Sequence, residues 1–268
     1  MISKDFRIWG YEENYGGFAQ FTIVRERQCV LKPREMSWLD SASLIATGVT
    51  VYRMLTHWKG NQIKAGDGVL VWGGTGGLGS IGIQLATYLG ADVVAVVSSE
   101  ERGKIAMDLG AKGYINRKEF HHWGKLKDCS SEQEQKEWLK EALGFRRKIQ
   151  KILGNRKLPD IVLEHPGQDT LPTSMFVCAP DGMVALCGAT TSFTGTLDLR
   201  FLWLSQKRLQ GSHAGDRLEA IQFLDIIRKS GIKPYIGKVL EWNELADGLQ
   251  EMYLGKANGK YVVKVGIK

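Results

Sequence analysis

Val69-Leu-Val-Trp-Gly-Gly-Thr-Gly-Gly-Leu-Gly79 decides the fold, and a small, apolar run from Ser80 to Leu89 follows it. The apolar start passes through glycines into Ile81, Ile83, Leu85, Ala86 and Leu89 on mostly helical spacing, the pattern of a strand, a tight turn and a helix. Gly73, Gly76 and Gly79 fall three apart. Glycines so placed permit a sharp turn, a close approach of backbone to a pyrophosphate, and tight packing of the helix on the strand. The helix N-terminus adds free N–H groups that face an anion. The stretch therefore reads as a phosphate cradle, with Gly73, Thr75, Gly76, Gly77, Leu78 and Gly79 as its candidate contacts.

Just beyond lies Ala91-Asp-Val-Val-Ala-Val-Val97, a continuous apolar run of the kind expected for a parallel strand buried on both faces. It completes a right-handed βαβ unit, and strand, glycine turn, helix and strand together point to a dinucleotide site. In the NAD form of such a unit an acidic residue at the end of the second strand holds the ribose 2′-hydroxyl. Here the strand ends in Ser98-Ser99, followed by Glu100, Glu101, Arg102 and Lys104. Hydroxyls and cations suit a 2′-phosphate, so NADPH is the expected cofactor, with Ser98, Ser99 and Arg102 as contacts. Two other readings stay open at this point: Arg102 and Lys104 face solvent, or Glu100 or Glu101 turns inward toward NAD.

The pattern continues with a short third strand at Gly113 to Arg117, an insertion at Lys118 to Ser131, and a charged amphipathic run from Glu132 to Leu153. Pro159 to Gly167 supplies a fourth strand and its loop, Leu171 to Val177 a helix, and Gly182 to Gly188 a fifth strand. Strands alternating with helices give an α/β fold, a doubly wound, open parallel Rossmann sheet. Ligands of such sheets lie beyond the carboxyl ends of the strands, which adds Asn116, Arg117, Glu164 to Gly167 (His165 among them), Gly188, Ala189, Thr190 and Thr191 to the candidates. Ahead of the sheet, Arg7 to Val24 mixes aromatics with glycines and then alternates like strands, as in the middle of a β-domain. Ser37-Trp-Leu-Asp40 resembles a capping box and leads into a helical Ser41 to Leu55. The tail holds a helix from Arg217 to Lys229, another near Trp242 to Tyr253, and a final strand from Gly259 to Val265.

A chain of 268 residues with 43% hydrophobic content can bury a sizeable core. No stretch approaches the ~20 apolar residues that cross a bilayer, and Met1 to Arg7 has no apolar signal core, so no membrane partner and a cytoplasmic location are expected. Cys29, Cys129, Cys178 and Cys187 lack the close spacing of a metal knuckle, so neither disulfide nor zinc is expected. The net charge of +7 is spread along the chain without a basic stripe interleaved with aromatics. That excludes nucleic acid and favours a phosphorylated small molecule. The cluster Arg146, Arg147, Lys148, Lys151, Arg156 and Lys157 reads as a solvated helix face.

Four motifs taken together, Ile8-Trp-Gly-Tyr-Glu-Glu-Asn-Tyr-Gly-Gly17, Val71 to Gly79, Glu164-His-Pro-Gly167 and Gln206-Lys-Arg-Leu-Gln-Gly-Ser-His213, resemble crotonyl-CoA carboxylase/reductase, a zinc-independent branch of the medium-chain dehydrogenase/reductase superfamily. The likeness covers nearly the whole chain. It implies NADPH-dependent reduction of a 2-enoyl thioester, with hydride added at the β-carbon and the enolate trapped at the α-carbon by CO2 or a proton. Such chemistry needs near-attack contact between nicotinamide and enoyl group and a stabilised oxyanion. By the resemblance, Tyr11, Glu12 and His213 are the catalytic residues that help hold CO2. His165 either packs beside the nicotinamide or bonds a backbone carbonyl; Thr47 and Thr50 either approach the cofactor or bond their own helix.

The resemblance also implies remnants of a GroES-like, β-rich substrate domain at residues 1–44 and 210–268, flanking a Rossmann domain at 45–209. Partners implied are an enoyl-CoA or enoyl carrier-protein substrate, CO2, and a second copy of the chain meeting it at the sheet edge near Thr194 to Trp203, since an unpaired apolar edge needs cover. Glu13 stands where the family has a small hydroxyl residue and Ala214 where it has an aromatic. An added carboxylate and a lost aromatic wall would admit water and turn a carboxylase into a plain reductase. Family members carry a long segment before the equivalent of Ile8. The resemblance therefore leaves three readings: a piece of a larger polypeptide such as a polyketide synthase module, a subunit whose N-terminal half comes from a separate chain, or a cofactor-binding but catalytically silent domain.

Overall fold

The computed structural model describes residues 7–126 and 131–266. Residues 127–130 of the predicted insertion, Cys129 among them, lie outside the described residues. The main body is a six-stranded parallel sheet in the order β3-β2-β1-β4-β5-β6. In chain order its elements are α1 (Trp38–Thr56), β1 (Gly68–Trp72), α2 (Gly77–Tyr88), β2 (Asp92–Val97), α3 (Glu100–Asp108), β3 (Gly113–Asn116), α4 (Glu132–Leu153), β4 (Ile161–Glu164), α5 (Leu171–Val177), β5 (Met183–Leu186), α6 (Leu199–Trp203) and β6 (Arg208–Gly211). The tail adds α7 (Arg217–Ser230), β7 (Ile236–Leu240), α8 (Leu245–Tyr253) and β8 (Lys260–Val263), with β7 and β8 paired in a separate two-stranded sheet.

Alternate side chains on a strand point to opposite faces, so the continuous apolar runs feed two cores. Val69, Val71, Val93, Ala95, Ile161 and Leu163 meet α1, α2 and α7 on one face. Leu70, Trp72, Val94, Val96, Val162 and Val184 meet Ala142, Phe145, Ile149 and Leu153 of α4 and the α5 side chains on the other. The amphipathic run from Glu132 to Leu153 is thus a single helix whose apolar stripe covers the sheet. The insertion that precedes it also packs inward: His122 and Trp123 join Phe120, Trp72, Trp138 and Phe145 in an aromatic cluster. Among the described residues, α7 is fastened to α1 by Glu219, which receives Arg53 at 2.7 Å and His57 at 2.8 Å.

Three expectations change. The alternating segment from Phe18 to Val24 forms no strand: among the described residues 7–37 only a short 3-10 turn at Glu26–Gln28 is regular. Alternation makes a strand only where another strand supplies the ladder, and Phe18, Phe21 and Ile23 are exposed instead. The edge strands of the sheet are β3 and β6, whereas Thr194 to Trp203 is a loop and the short α6. At Ser37 the hydroxyl accepts from Asp40 N at 3.0 Å and caps α1, but it also donates to the Asp40 carboxylate at 2.8 Å, and α1 begins at Trp38 rather than Ser41.

Candidate functional site

The glycine turn bends directly out of β1. Gly73 adopts φ +59°, a left-handed conformation that a side chain disfavours, and its amide neighbour Gly74 N donates to Val96 O of the adjacent strand at 3.0 Å. The turn closes through Gly76 N to Gly73 O at 2.8 Å, after which α2 begins. Gly76 is its N-cap and offers no side chain to the helix amides, so the first turn of α2 keeps its N–H groups for a ligand. Gly79 lies so close beneath Gly73 that an added Cβ would stand 2.2 Å from the Gly73 carbonyl oxygen. Thr75 is buried, and Gly77 and Leu78 begin the helix.

The far end of the chain covers this turn, which nothing in the local sequence signals. Gly259 N donates to Thr75 O at 2.9 Å, and Gly76 and Gly259 form an isolated parallel bridge. Lys260 then crosses Gly77, its Cδ standing 2.4 Å from where a Cβ at Gly77 would be. Burial lowers the Lys260 pKa, with no carboxylate contributing to it. A half-buried cation at the positive end of a helix is unfavourable until an anion joins it.

At the end of β2, the Ser99 hydroxyl accepts from Arg102 N at 3.3 Å and caps α3, and the Arg102 guanidinium donates to Ala257 O at 2.9 Å. Arg102 is thereby drawn toward the tail that crosses the cradle. Glu100 is turned the other way: it accepts from the Tyr114 hydroxyl at 2.6 Å and from Asn116 at 3.3 Å, bonds that hold its carboxyl below the usual carboxylate range. Ser98 is half-buried beside it. Arg117 is exposed in a 3-10 turn, where its carbonyl accepts from the Trp123 indole at 3.0 Å.

The loops after β4 and β5 are tied to each other and to the turn. His165 is half-buried, and its Nε2 lies 3.1 Å from Trp72 O; since a carbonyl only accepts, Nε2 carries the proton. Its ring lies over Gly73, 2.9 Å from an added Cβ, and desolvation lowers its pKa, so it is neutral. Of the two readings open for His165, the backbone bond is present and the ring also borders the cradle. Thr190 N donates to His165 O at 3.3 Å, Thr191 N to Pro166 O at 2.9 Å, and Gly188 leaves only 3.2 Å between an added Cβ and His165 O. Thr50 bonds its own helix at Ala46 O (2.7 Å), while Thr47 reaches the cradle through its methyl group, 3.5 Å from an added Cβ at Gly77.

Beyond this wall a cavity of about 460 Å³ is lined by Arg53, Trp58, Leu186, Cys187, Gly188, Ala189, Gly211, Ser212 and His213. His213 and the β5 loop therefore share one space. Tyr11 and Glu12 are not part of that lining: Tyr11 is exposed, and the Glu12 carboxylate accepts from Ile8 N within its own turn. The three residues expected to act together are thus divided, because the opening loop satisfies its polar groups internally. Missed from the sequence were Lys260, Ser212, Arg53 and Trp58. The Ser212 hydroxyl and the Trp58 indole N–H are buried with no hydrogen-bond partner among the described residues, and both residues line the same cavity as His213.

Fold and turn together define a dinucleotide-binding dehydrogenase domain, and residues 77–229 match the zinc-binding dehydrogenase family, to which the chain belongs. Within that class the chain is 43% identical to the crotonyl-CoA carboxylase/reductase of Cereibacter sphaeroides, over 94% of this chain and 59% of that protein. It is 34% identical to the crotonyl-CoA reductase of Streptomyces avermitilis, over 97% of this chain and 57% of that protein. Among solved structures, crotonyl-CoA carboxylase/reductase AntE in complex with NADP superposes with a TM-score of 0.94 at 46% identity, covering 97% of this chain and 65% of that one. The 2-octenoyl-CoA carboxylase reductase CinF in complex with NADP and 2-octenoyl-CoA gives 0.85 at 31% identity, covering 97% and 58%. The chain spans about three-fifths of the length of these relatives. Despite the family's description, no three His, Cys, Asp or Glu side chains gather as metal donors among the described residues. The described residues therefore offer no donor set that fits a zinc ion. No helix among the described residues is long and apolar enough to cross a membrane.

Proposed function

We propose that the chain carries the NADPH site and the nicotinamide-side wall of an enzyme that reduces 2-enoyl thioesters. The observation that carries this reading is the glycine turn overlaid by the stem of Lys260, a half-buried side chain that pairs with no carboxylate among the described residues. Similarity to proteins described as crotonyl-CoA reductases, and to structures that hold NADP and 2-octenoyl-CoA, supports the substrate class. NADPH, when bound, supplies the hydride that goes to the β-carbon.

The chain's own residues have the remaining work. Gly73, Thr75, Gly76, Gly77, Leu78 and Gly79 hold the pyrophosphate with Lys260 across it, and Ser98, Ser99 and Arg102 receive the 2′-phosphate. His165, Gly188, Ala189 and Thr190, with Thr50 behind them, border the nicotinamide. His213, when neutral, donates one hydrogen bond into the cavity where the enolate oxygen develops. Arg117 lies at the outer end of β3, where it meets the adenosine side only if its turn bends inward. Tyr11 and Glu12 would complete a CO2 site by folding toward His213. Their separation from the cavity favours protonation over carboxylation of the enolate in this chain. We assign residues 1–44 and 210–268 to the substrate side and 45–209 to the dinucleotide side, and place a contact with a second copy along the β6 edge and α6, where Trp203 and Leu204 are exposed. A cofactor-binding but silent subunit is the second reading, favoured by the exposed, strandless N-terminal segment.

The deciding experiment follows NADPH oxidation with crotonyl-CoA, with and without bicarbonate and carbonic anhydrase, and identifies products by mass. Butyryl product is expected; ethylmalonyl product would place CO2 in the site. NADPH binding without oxidation would favour the silent subunit. Within the same reading, Lys260→Met is expected to raise the NADPH dissociation constant about 10-fold or more, since a charge-assisted hydrogen bond contributes roughly 1.5–3 kcal/mol. It should also flatten the salt dependence of binding, as a fluorescence titration at two ionic strengths will record. Unchanged affinity would remove Lys260 from the phosphate site.

A further inference from the structure

Glu164 ends β4 with its side chain wholly buried, and three donors converge on it. Oε1 accepts from Gly167 N at 3.1 Å and from the Thr170 hydroxyl at 2.7 Å, and Oε2 accepts from the Ser174 hydroxyl at 2.5 Å. Ser174 in turn accepts from the Trp72 indole N–H at 2.8 Å. One acid therefore ties the end of β1, the end of β4 and the first turns of α5 together. The chain between these anchors is His165, Pro166 and Gly167, which turns at Gly167 with φ +86° and delivers the His165 ring over Gly73.

Among the described residues no lysine or arginine forms an ion pair with this carboxyl, whose partners are Gly167, Thr170 and Ser174. A buried acid without a cation is costly, and an apolar side chain of similar volume would serve packing alone at lower cost. What an apolar side chain could not do is gather donors from the loop after β4 and from α5 onto one point. We propose that Glu164 is a positioning residue that fixes the His165–Gly167 turn against Gly73 and so sets the wall of the cofactor site at the start of the phosphate turn. This rests on the dinucleotide reading of that site.

Glu164→Gln keeps most of the arrangement, because its amide oxygen can accept from Gly167 and Thr170 while its NH2 meets a free lone pair of Ser174. Glu164→Leu removes every bond. Two readouts apply to both variants and the parent: the Nε2–H signal of the His165 ring in 15N-labelled protein without cofactor, and the NADPH dissociation constant by fluorescence. In the parent and Glu164→Gln the ring signal is expected to be protected from exchange, with dissociation constants within about 3-fold of each other, under 1 kcal/mol. Glu164→Leu, shown folded by circular dichroism, is expected to lose the signal and bind NADPH at least ~10-fold more weakly. A folded Glu164→Leu protein that keeps both would overturn the proposal. Should that variant not fold, Thr170→Val, which removes one donor, decides: faster exchange of the ring proton supports the role and unchanged exchange refutes it. If the parent itself does not bind NADPH, the dinucleotide reading fails, and the ring signal alone judges Glu164.

Discussion

Alanine at position 79 is expected to abolish dinucleotide binding and to destabilise the fold, the largest effect among the turn glycines. The added methyl would stand 2.2 Å from the Gly73 carbonyl oxygen and 2.8 Å from Gly74 Cα, both backbone atoms of the turn itself. Backbone cannot swing aside as a side chain can, so the turn or the helix must move, and overpacking of this kind costs about 3 kcal/mol. The phosphate-facing amides move with them, and at least a ~100-fold loss of NADPH affinity is expected, roughly 2.7 kcal/mol. Neighbouring glycines provide the control. At Gly76 the nearest atom is 3.3 Å away, and at Gly77 it is the flexible stem of Lys260, so alanine at either should fold with near-parental stability. Denaturant unfolding and fluorescence titration on the three variants measure both effects. Parental binding by Gly79→Ala would disprove the close-approach argument.

The second large effect is acid lability. Both ring nitrogens of His122 are buried in the aromatic cluster with no hydrogen-bond partner among the described residues, and desolvation pushes its pKa from 6.5 down to about 4. A histidine with a depressed folded pKa supports the fold while both states are neutral, above pH 6.5. That support is lost as pH falls toward 4, because the unfolded chain takes up a proton that the folded chain refuses. The full shift corresponds to roughly 3 kcal/mol, and about 2 kcal/mol is the better figure once partial solvent screening near the insertion is discounted. Glu164 works in the opposite sense: burial raises its pKa from 4.5 to about 7, so stability is lost as pH rises through that interval. Between pH 4.5 and 6.5 the two slopes oppose. His122→Phe should therefore remove the acid limb and leave a chain whose stability increases as pH falls from 7 to 5. Urea midpoints at pH 5, 6 and 7.5 test it, and parallel profiles for variant and parent would reject the account.

What could be read in advance followed from local physics. Continuous apolar runs such as Val69 to Trp72 and Val93 to Val97 are legible because strands buried on both faces need nothing else, and the glycine spacing at 73, 76 and 79 is legible because steric demand is local. β6 escaped notice because Arg208-Leu-Gln-Gly is four residues on an edge, with one face open and no apolar run to betray it. Lys260 escaped for a different reason: its meaning depends on a contact with Gly77 made across most of the chain. His122 looked like part of a loose insertion, since only the folded cluster reveals that its ring is shut away from water. The opening segment misled in the other direction, because the alternation of Phe21 and Ile23 states a preference that only a neighbouring strand could satisfy.

The bridge between Gly76 and Gly259 also sets an order of events during synthesis. The phosphate turn leaves the ribosome long before the strand that lies across it. During translation, then, the sheet can assemble around an open turn, and on the proposed site the grip on phosphate tightens only when Lys260 arrives. For a nascent chain, full affinity for NADPH would announce that β8 has been made.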